Sequence, residues 1–186
     1  MLRSFLTWFC FPLTSLLLAA CCGSTACECN DAYTDAIGLR FSTDTLGTTP
    51  AGFKAAEIDT VFLIRVPLDT AQRPKADTVQ IGRTQARALS QPVILNNTTP
   101  FTQAGNRKLD QYRYQLYLAK TRLAKRHTFD YYIDKVELTT VYRADGCCTC
   151  FDNTNKQVYV NGSPTPTDLT DQEKRNQLGL LDVQRR

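Results

Sequence analysis

The sequence predicts an all-β fold, an antiparallel β-sandwich of about seven short strands spanning residues 35–163. Three observations carry that reading. Apolar residues recur at every second position through most of this span, turn residues such as Asp145-Gly146 and Asn161-Gly162 separate the runs, and aromatic and β-branched residues fill the runs themselves. No segment reads convincingly as a helix.

In chain order, Ile37, Leu39 and Phe41 alternate with Gly38, Arg40 and Ser42 as a first strand. Ile58, Thr60, Phe62, Ile64, Val66 and Leu68 set one face of a second. Val61 and Leu63 add apolar residues to its other face, so this strand is expected at the centre of a sheet and covered on both sides. Val79 with Ile81, and Val93 to Leu95, are shorter strands, and Pro92 places the latter at an edge or strand start. Tyr112, Tyr114, Leu116 and Leu118 alternate as a further strand. A helical alternative over 109–124 exists, because Leu109, Tyr112, Leu116, Ala119 and Leu123 share a 3.6-residue face; the aromatic content favours the strand. Phe129, Tyr131 and Ile133 alternate on one parity and Val136, Leu138, Thr140 and Tyr142 on the other, which predicts a bulge near Asp134 and Lys135. Gln157 to Val160 is the last strand. Such a set of short strands fits an immunoglobulin-like or transthyretin-like sandwich. Residues 164–186 read as a polar tail, in which the capping-box spacing of Thr170 and Glu173 allows a short C-terminal helix.

Residues 1–20 have the three parts of a secretory signal: a charge at Arg3, an apolar body from Phe5 to Leu18, and small residues before the break. The body is too short for a spanning helix. Leu18-Ala19-Ala20-Cys21 resembles the lipobox of bacterial lipoproteins, which implies acylation of the Cys21 thiol and removal of the signal. In such lipoproteins an aspartate after the acylated cysteine signals inner-membrane retention. This chain has Cys22 there, so the resemblance implies the outer membrane and a location in the cell envelope.

Removal of residues 1–20 from the 186 leaves 166, the size of one domain, with residues 21–34 as a lipidated, cysteine-rich tether. Loss of Arg3 leaves 21 basic and 18 acidic side chains, a net +3 that gives no footprint for nucleic acid. The seven cations between Arg107 and Arg126 read as a solvated face.

Of the eight cysteines, Cys10 leaves with the signal and Cys21 is committed to lipid. The remaining six form two groups, Cys22, Cys27 and Cys29, and Cys147, Cys148 and Cys150. An exported chain normally bridges its cysteines, and near neighbours fit disulfide geometry poorly, so pairing between the groups is expected. A bridge such as Cys29 to Cys147 closes a loop worth about 4.7 kcal/mol in the chain-entropy model. It also shortens the tether. A free run from Cys21 to Tyr33 spans about 40 Å, and one pinned at Cys27 about 20 Å. The competing chemistry is a thiolate metal site or a redox module, but the one histidine is remote in sequence from both cysteine groups, and no metal or cofactor is expected.

Catalytic signals are sparse. His127, the sole histidine, sits beside Lys125 and Arg126 with no obvious carboxylate to orient it. Ser24, Ser42, Ser90 and Ser163 lie outside any Gly-x-Ser-x-Gly elbow. Asp130, Asp134 and Glu137 are the best-placed carboxylates for paired acid and base chemistry. On a regular strand Asp130 and Asp134 are about 13 Å apart, so solvated strand residues are the better reading. Asp-Thr followed by a small or aliphatic residue recurs at Thr45, Thr60, Thr70 and Thr78, similar to an O-glycosylation acceptor pattern of some exported Gram-negative proteins. Thr45, Thr70 and Thr78 are the candidate acceptors, because Thr60 opens a strand.

The stretch from Tyr131 to Gly162, with Tyr131-Tyr132-Ile133-Asp134-Lys135-Val136, Cys147-Cys148-Thr149-Cys150-Phe151-Asp152-Asn153 and Val158-Tyr159-Val160-Asn161-Gly162, resembles small uncharacterised lipoproteins of Gram-negative bacteria. The resemblance implies no activity and no catalytic residues. The expectation is therefore a non-enzymatic binding or scaffolding module, attached to membrane through Cys21 and meeting an envelope protein or a glycan. A cysteine-based metal or redox module is the alternative, and a small hydrolase without a recognisable motif the third.

Overall fold

A computed structural model describes residues 29, 31–45, 51–69, 71, 75–146, 148–173 and 175–185. Nine strands are present among them: β1 (Ala36–Phe41), β2 (Thr60–Pro67), β3 (Asp77–Gly82), β4 (Val93–Asn96), β5 (Tyr112–Leu118), β6 (Phe129–Asp145), β7 (Cys148–Val160), β8 (Thr167–Asp168) and β9 (Gly179–Val183). They form an antiparallel six-stranded sheet in the order β3-β2-β5-β6-β7-β8 and a three-stranded sheet in the order β4-β1-β9. The all-β sandwich stands, with two more strands than the alternation pattern revealed.

The inner faces of both sheets share one apolar core. Ile37, Leu39 and Phe41 of β1 and Val93 and Leu95 of β4 are buried with Val61 and Leu63 of β2, Tyr112, Tyr114 and Leu116 of β5, and Val158 of β7. Each fully buried aliphatic side chain contributes about 1.5–3 kcal/mol relative to exposure. The edge placement that Pro92 suggested for β4 and the central placement of β2 are both observed. A 3-10 turn over Leu109–Gln111 leads into β5, and Leu123, which a helix over 109–124 would bury, is exposed.

Both faces of β2 carry covered apolar residues, as expected, but unequally. Val61, Leu63 and Arg65 face the core, whereas Val66 and Leu68 are largely exposed and Phe62 is covered on the outer face by stacking on Tyr117, with ring centroids 5.1 Å apart. Arg65 hid the pattern. Its guanidinium lies 4.7 Å from the Phe101 ring and 4.9 Å from the Tyr112 ring and donates to the Thr102 carbonyl at 2.9 Å, so a charged residue occupies a core position at a satisfied, cation–π-lined site.

Among the described residues from 164 to 185 there is no helix, and the end of the chain is not a free tail. β9 pairs in parallel with β1, and Leu181 and Val183 enter the core. Parallel pairing of the first and last strands has no local sequence signal. Gly38 permits the close fit, since a Cβ there would fall 2.7 Å from Leu180 Cδ2. Arg40 Nε and Asp182 Oδ1, opposite each other in register, pair at 2.7 Å. One short helix, α1 (Gln85–Ser90), capped by Thr84, was not foreseen.

The bulge expected near Asp134 and Lys135 is present as a register shift between Ile133 and Lys135, and a second shift lies between Thr139 and Thr140. Beyond that second shift β6 and β7 pair, among the described residues, only with each other, as an arm that ends in the turn at Gly146, where φ is +60°. The turn at Asn161-Gly162 is also as expected, with both residues at positive φ.

Candidate functional site

The most elaborate polar construction in the molecule fastens the chain before β1 to β7. Residues 31–35 form a turn closed by Thr34 N–H donating to the Asp31 carbonyl at 3.1 Å. Asp35 is only 6% exposed, and it meets Asn153 and Lys156, 8% and 2% exposed. Asn153 and Lys156 are three residues apart and would point to opposite faces of a regular strand. The shift at Thr139/Thr140 inserts Thr154 as an extra residue and brings them to one face.

Asn153 Nδ2 donates to Asp35 Oδ1 and to the Thr34 carbonyl, both at 2.7 Å. Asn153 Oδ1 accepts from Thr140 Oγ1 at 2.9 Å. Asp35 Oδ2 accepts from Asn97 Nδ2 at 2.8 Å and lies 3.6 Å from Lys108 Nζ. Lys156 Nζ donates to the carbonyls of Tyr33 at 3.0 Å and Ala36 at 3.1 Å. Burial pushes the Lys156 ammonium below its ordinary pKa, opposed by the charges of Asp35 and Asp171. From the other side, Asn176 Oδ1 accepts from Tyr33 N–H at 2.6 Å. The cavity enclosed here, ≈ 20 Å³, is water-sized and too small for an organic ligand. This clasp is a mechanical joint, since nearly every strong donor and acceptor in it is turned on another part of the chain.

A disulfide lies beside the clasp. Cys29 is bonded to Cys150 with Cα atoms 5.3 Å apart and a sequence separation of 121. Pairing across the two cysteine groups is therefore observed, with Cys150 rather than Cys147 as the partner of Cys29. Cys150 is buried on β7. Cys148 is disulfide-bonded as well, to a cysteine outside the described residues. Cys21, Cys22, Cys27, Cys147 and Thr70 lie outside the described residues. With Cys29, Cys148 and Cys150 in disulfides, these three are not thiolates available to a metal.

His127 does have a carboxylate partner, contrary to the sequence expectation. Its Nδ1 lies 2.7 Å from Asp130 Oδ1, and its ring stacks on Tyr117 with centroids 4.0 Å apart. Only the turn into β6 brings the two together. Asp130 also accepts from Gln115 Nε2 at 2.7 Å. The neighbouring carboxylates are separately engaged: Asp134 accepts from Gly162 N–H at 2.7 Å, and Glu137 pairs with Lys135 at 2.6 Å. Ser90 and Ser163 donate to the local carbonyls of Ala86 and Thr165, and Ser42 Oγ accepts from Asp44 N–H. His127 and Asp130 thus form a dyad to which no described serine is hydrogen-bonded. Among the described residues no group of three His, Cys, Asp or Glu side chains is arranged to hold a metal. An open cleft of ≈ 600 Å³ beside β2 is lined by Glu57, Asp59, Phe62, Gln80, Lys120 and Arg122, with no histidine among its lining residues.

Of the glycosylation candidates, Thr45 is exposed in the coil after β1, and Thr78 is half-buried on β3 opposite Ile64. Among the described residues no helix is long and apolar enough to cross a membrane. The clasp residues Asp35, Asn97, Asn153 and Lys156 were not singled out in the sequence. The available signal was a polar residue at each of two core-parity positions of a strand, legible only once the bulge is known.

No protein-family model, no curated protein and no solved structure matches the chain.

Proposed function

We propose that this chain is an exported lipoprotein, anchored through acylated Cys21, whose β-sandwich serves as a non-enzymatic binding or scaffolding module in the cell envelope, at the outer membrane. The observation that carries the reading is the stapled base. The Cys29–Cys150 bridge and the buried Asp35–Asn153–Lys156 clasp fix the start of the domain eight residues after Cys21. An extended run of that length reaches about 28 Å. A clasp of this kind transmits force from the tether into the six-stranded sheet, which suits display or load-bearing close to a membrane. The lipobox resemblance supplies the anchor. An envelope protein or a glycan is the partner class.

Replacement of Cys21→Ser in the native envelope is expected to release a soluble exported protein, measured by fractionation. Retention of that variant in the membrane fraction would overturn the anchor. Intact mass of the native protein tests sugar on Thr45, Thr70 or Thr78; a mass equal to lipidated polypeptide alone would remove it.

A further inference from the structure

The arm formed by residues 140–145 of β6 and 148–153 of β7 carries an aromatic pair that lies outside the sandwich core. Tyr142 is 65% exposed. Tyr142 stands in register opposite Phe151, with ring centroids 6.4 Å apart, and Phe151 is next to the bridged Cys150. Among the described residues no other strand pairs with this part of the hairpin. An amphipathic tyrosine on a narrow ribbon, with Arg143 beside it, is the side-chain chemistry enriched where a protein meets the headgroup layer of a bilayer.

The chain itself states where such a layer would be. Cys29 is eight residues from Cys21, about 28 Å at full extension, and the disulfide brings Cys150 to 5.3 Å of Cys29 between Cα atoms. Cys148, one turn from the tip, is held by a second disulfide. Through the Cys29–Cys150 bridge the arm is the part of the folded domain covalently tied to the segment leading to the anchor. Resting on the lipid-anchor reading above, we infer that the Tyr142–Phe151 face of the arm is a membrane-contact surface that lies in the headgroup region of the bilayer holding Cys21 and sets the orientation of the sandwich. A lipid surface is the occupant because the Cys29–Cys150 bridge keeps the arm within about one tether length, about 28 Å, of the anchored end.

Trp8, the chain's one tryptophan, lies in the segment expected to be removed, so Tyr142→Trp gives the mature protein a single fluorescent reporter. Two preparations separate the arm from the anchor. In the first, lipidated Tyr142→Trp protein from the native envelope is reconstituted in phosphatidylcholine–phosphatidylglycerol vesicles and floated. In the second, a Cys21→Ser, Tyr142→Trp chain with hexahistidine before position 21 is held on the same vesicles by a nickel-chelating lipid. Circular dichroism checks that both retain their strands. The expected result is a blue-shifted emission in both, quenched more by lipids brominated near the top of the acyl chain than by lipids brominated deep in it. Unshifted, unquenched emission from the nickel-tethered chain overturns the arm proposal and leaves the anchor standing. Failure of the native protein to float overturns the anchor and, with it, the role assigned to the arm.

Discussion

The two halves of the β6–β7 hairpin belong to one pair of strands and are held by different physics. The half before the Thr139/Thr140 shift is flanked by β5 and β8 and buries Ile133, Val136 and Val158. The half beyond it has no sheet neighbour among the described residues and exposes Val141 and Tyr142. An isolated two-stranded ribbon is marginal in water. The inner half gains its stability from burial, and the outer half is fixed by disulfides at Cys148 and Cys150 and by Asn153 bonding to the segment ahead of β1. Apolar burial holds the sandwich together, whereas covalent and polar bonds join it to its tether.

The largest test of that division is removal of the bridge. A Cys29→Ser, Cys150→Ser variant is expected to lose up to about 5 kcal/mol, given the loop the bridge closes. Hydrogen exchange should show amides of residues 139–155 losing protection while those of 129–136 keep theirs. Simultaneous loss in both halves would break the comparison.

Next in size are core truncations. Ile133→Ala in the inner half should cost about 2–5 kcal/mol by denaturant unfolding. Val141→Ala in the outer half should stay within about 0.5 kcal/mol of the parent, as for an exposed residue. Equal costs would mean that the arm is packed against something in the free protein.

The clasp gives an intermediate effect with a pH signature. Lys156→Ala leaves the Tyr33 and Ala36 carbonyls without their donor and should cost about 1–3 kcal/mol. The folded ammonium has its pKa lowered by burial, whereas the unfolded one titrates at its ordinary 10.5. Between the two, the unfolded chain binds the extra proton, so stability contributed at this site rises with pH and is complete above 10.5. Tyr114, whose phenol is pushed up by burial, acts in the opposite sense, because the unfolded phenol ionises first. Comparison with Lys156→Met cancels that background. The alkaline rise in urea midpoint should be present in the parent and absent in the variant. The smallest expected effect is that of Tyr142→Ser, within about 0.5 kcal/mol by thermal unfolding, although the proposed membrane contact rests on this side chain.

Much of the fold was legible because alternation, turn residues and proline act within a few positions. β1, β2, β5, the edge position of β4, the shift after Ile133 and the turn at Asn161-Gly162 all follow from neighbours in sequence. Which face of β2 meets the core was not legible, because both faces carry apolar residues and Arg65 occupies an inward position, solvated by aromatic faces and the Thr102 carbonyl instead of water. The His127–Asp130 contact and the clasp were missed for a related reason, since each depends on a turn or bulge that redirects side chains.

By itself the sequence determined an all-β chain and a bridge between its two cysteine groups, because these rest on local periodicity and on the chemistry of cysteine spacing. Only the tertiary structure decided that the last strand pairs in parallel with the first, that Cys29 takes Cys150, and that Asp35, Asn153 and Lys156 converge. Those contacts join residues more than a hundred positions apart. Which long-range partners meet is settled by the combined packing of two sheets, and no short window of sequence contains that information.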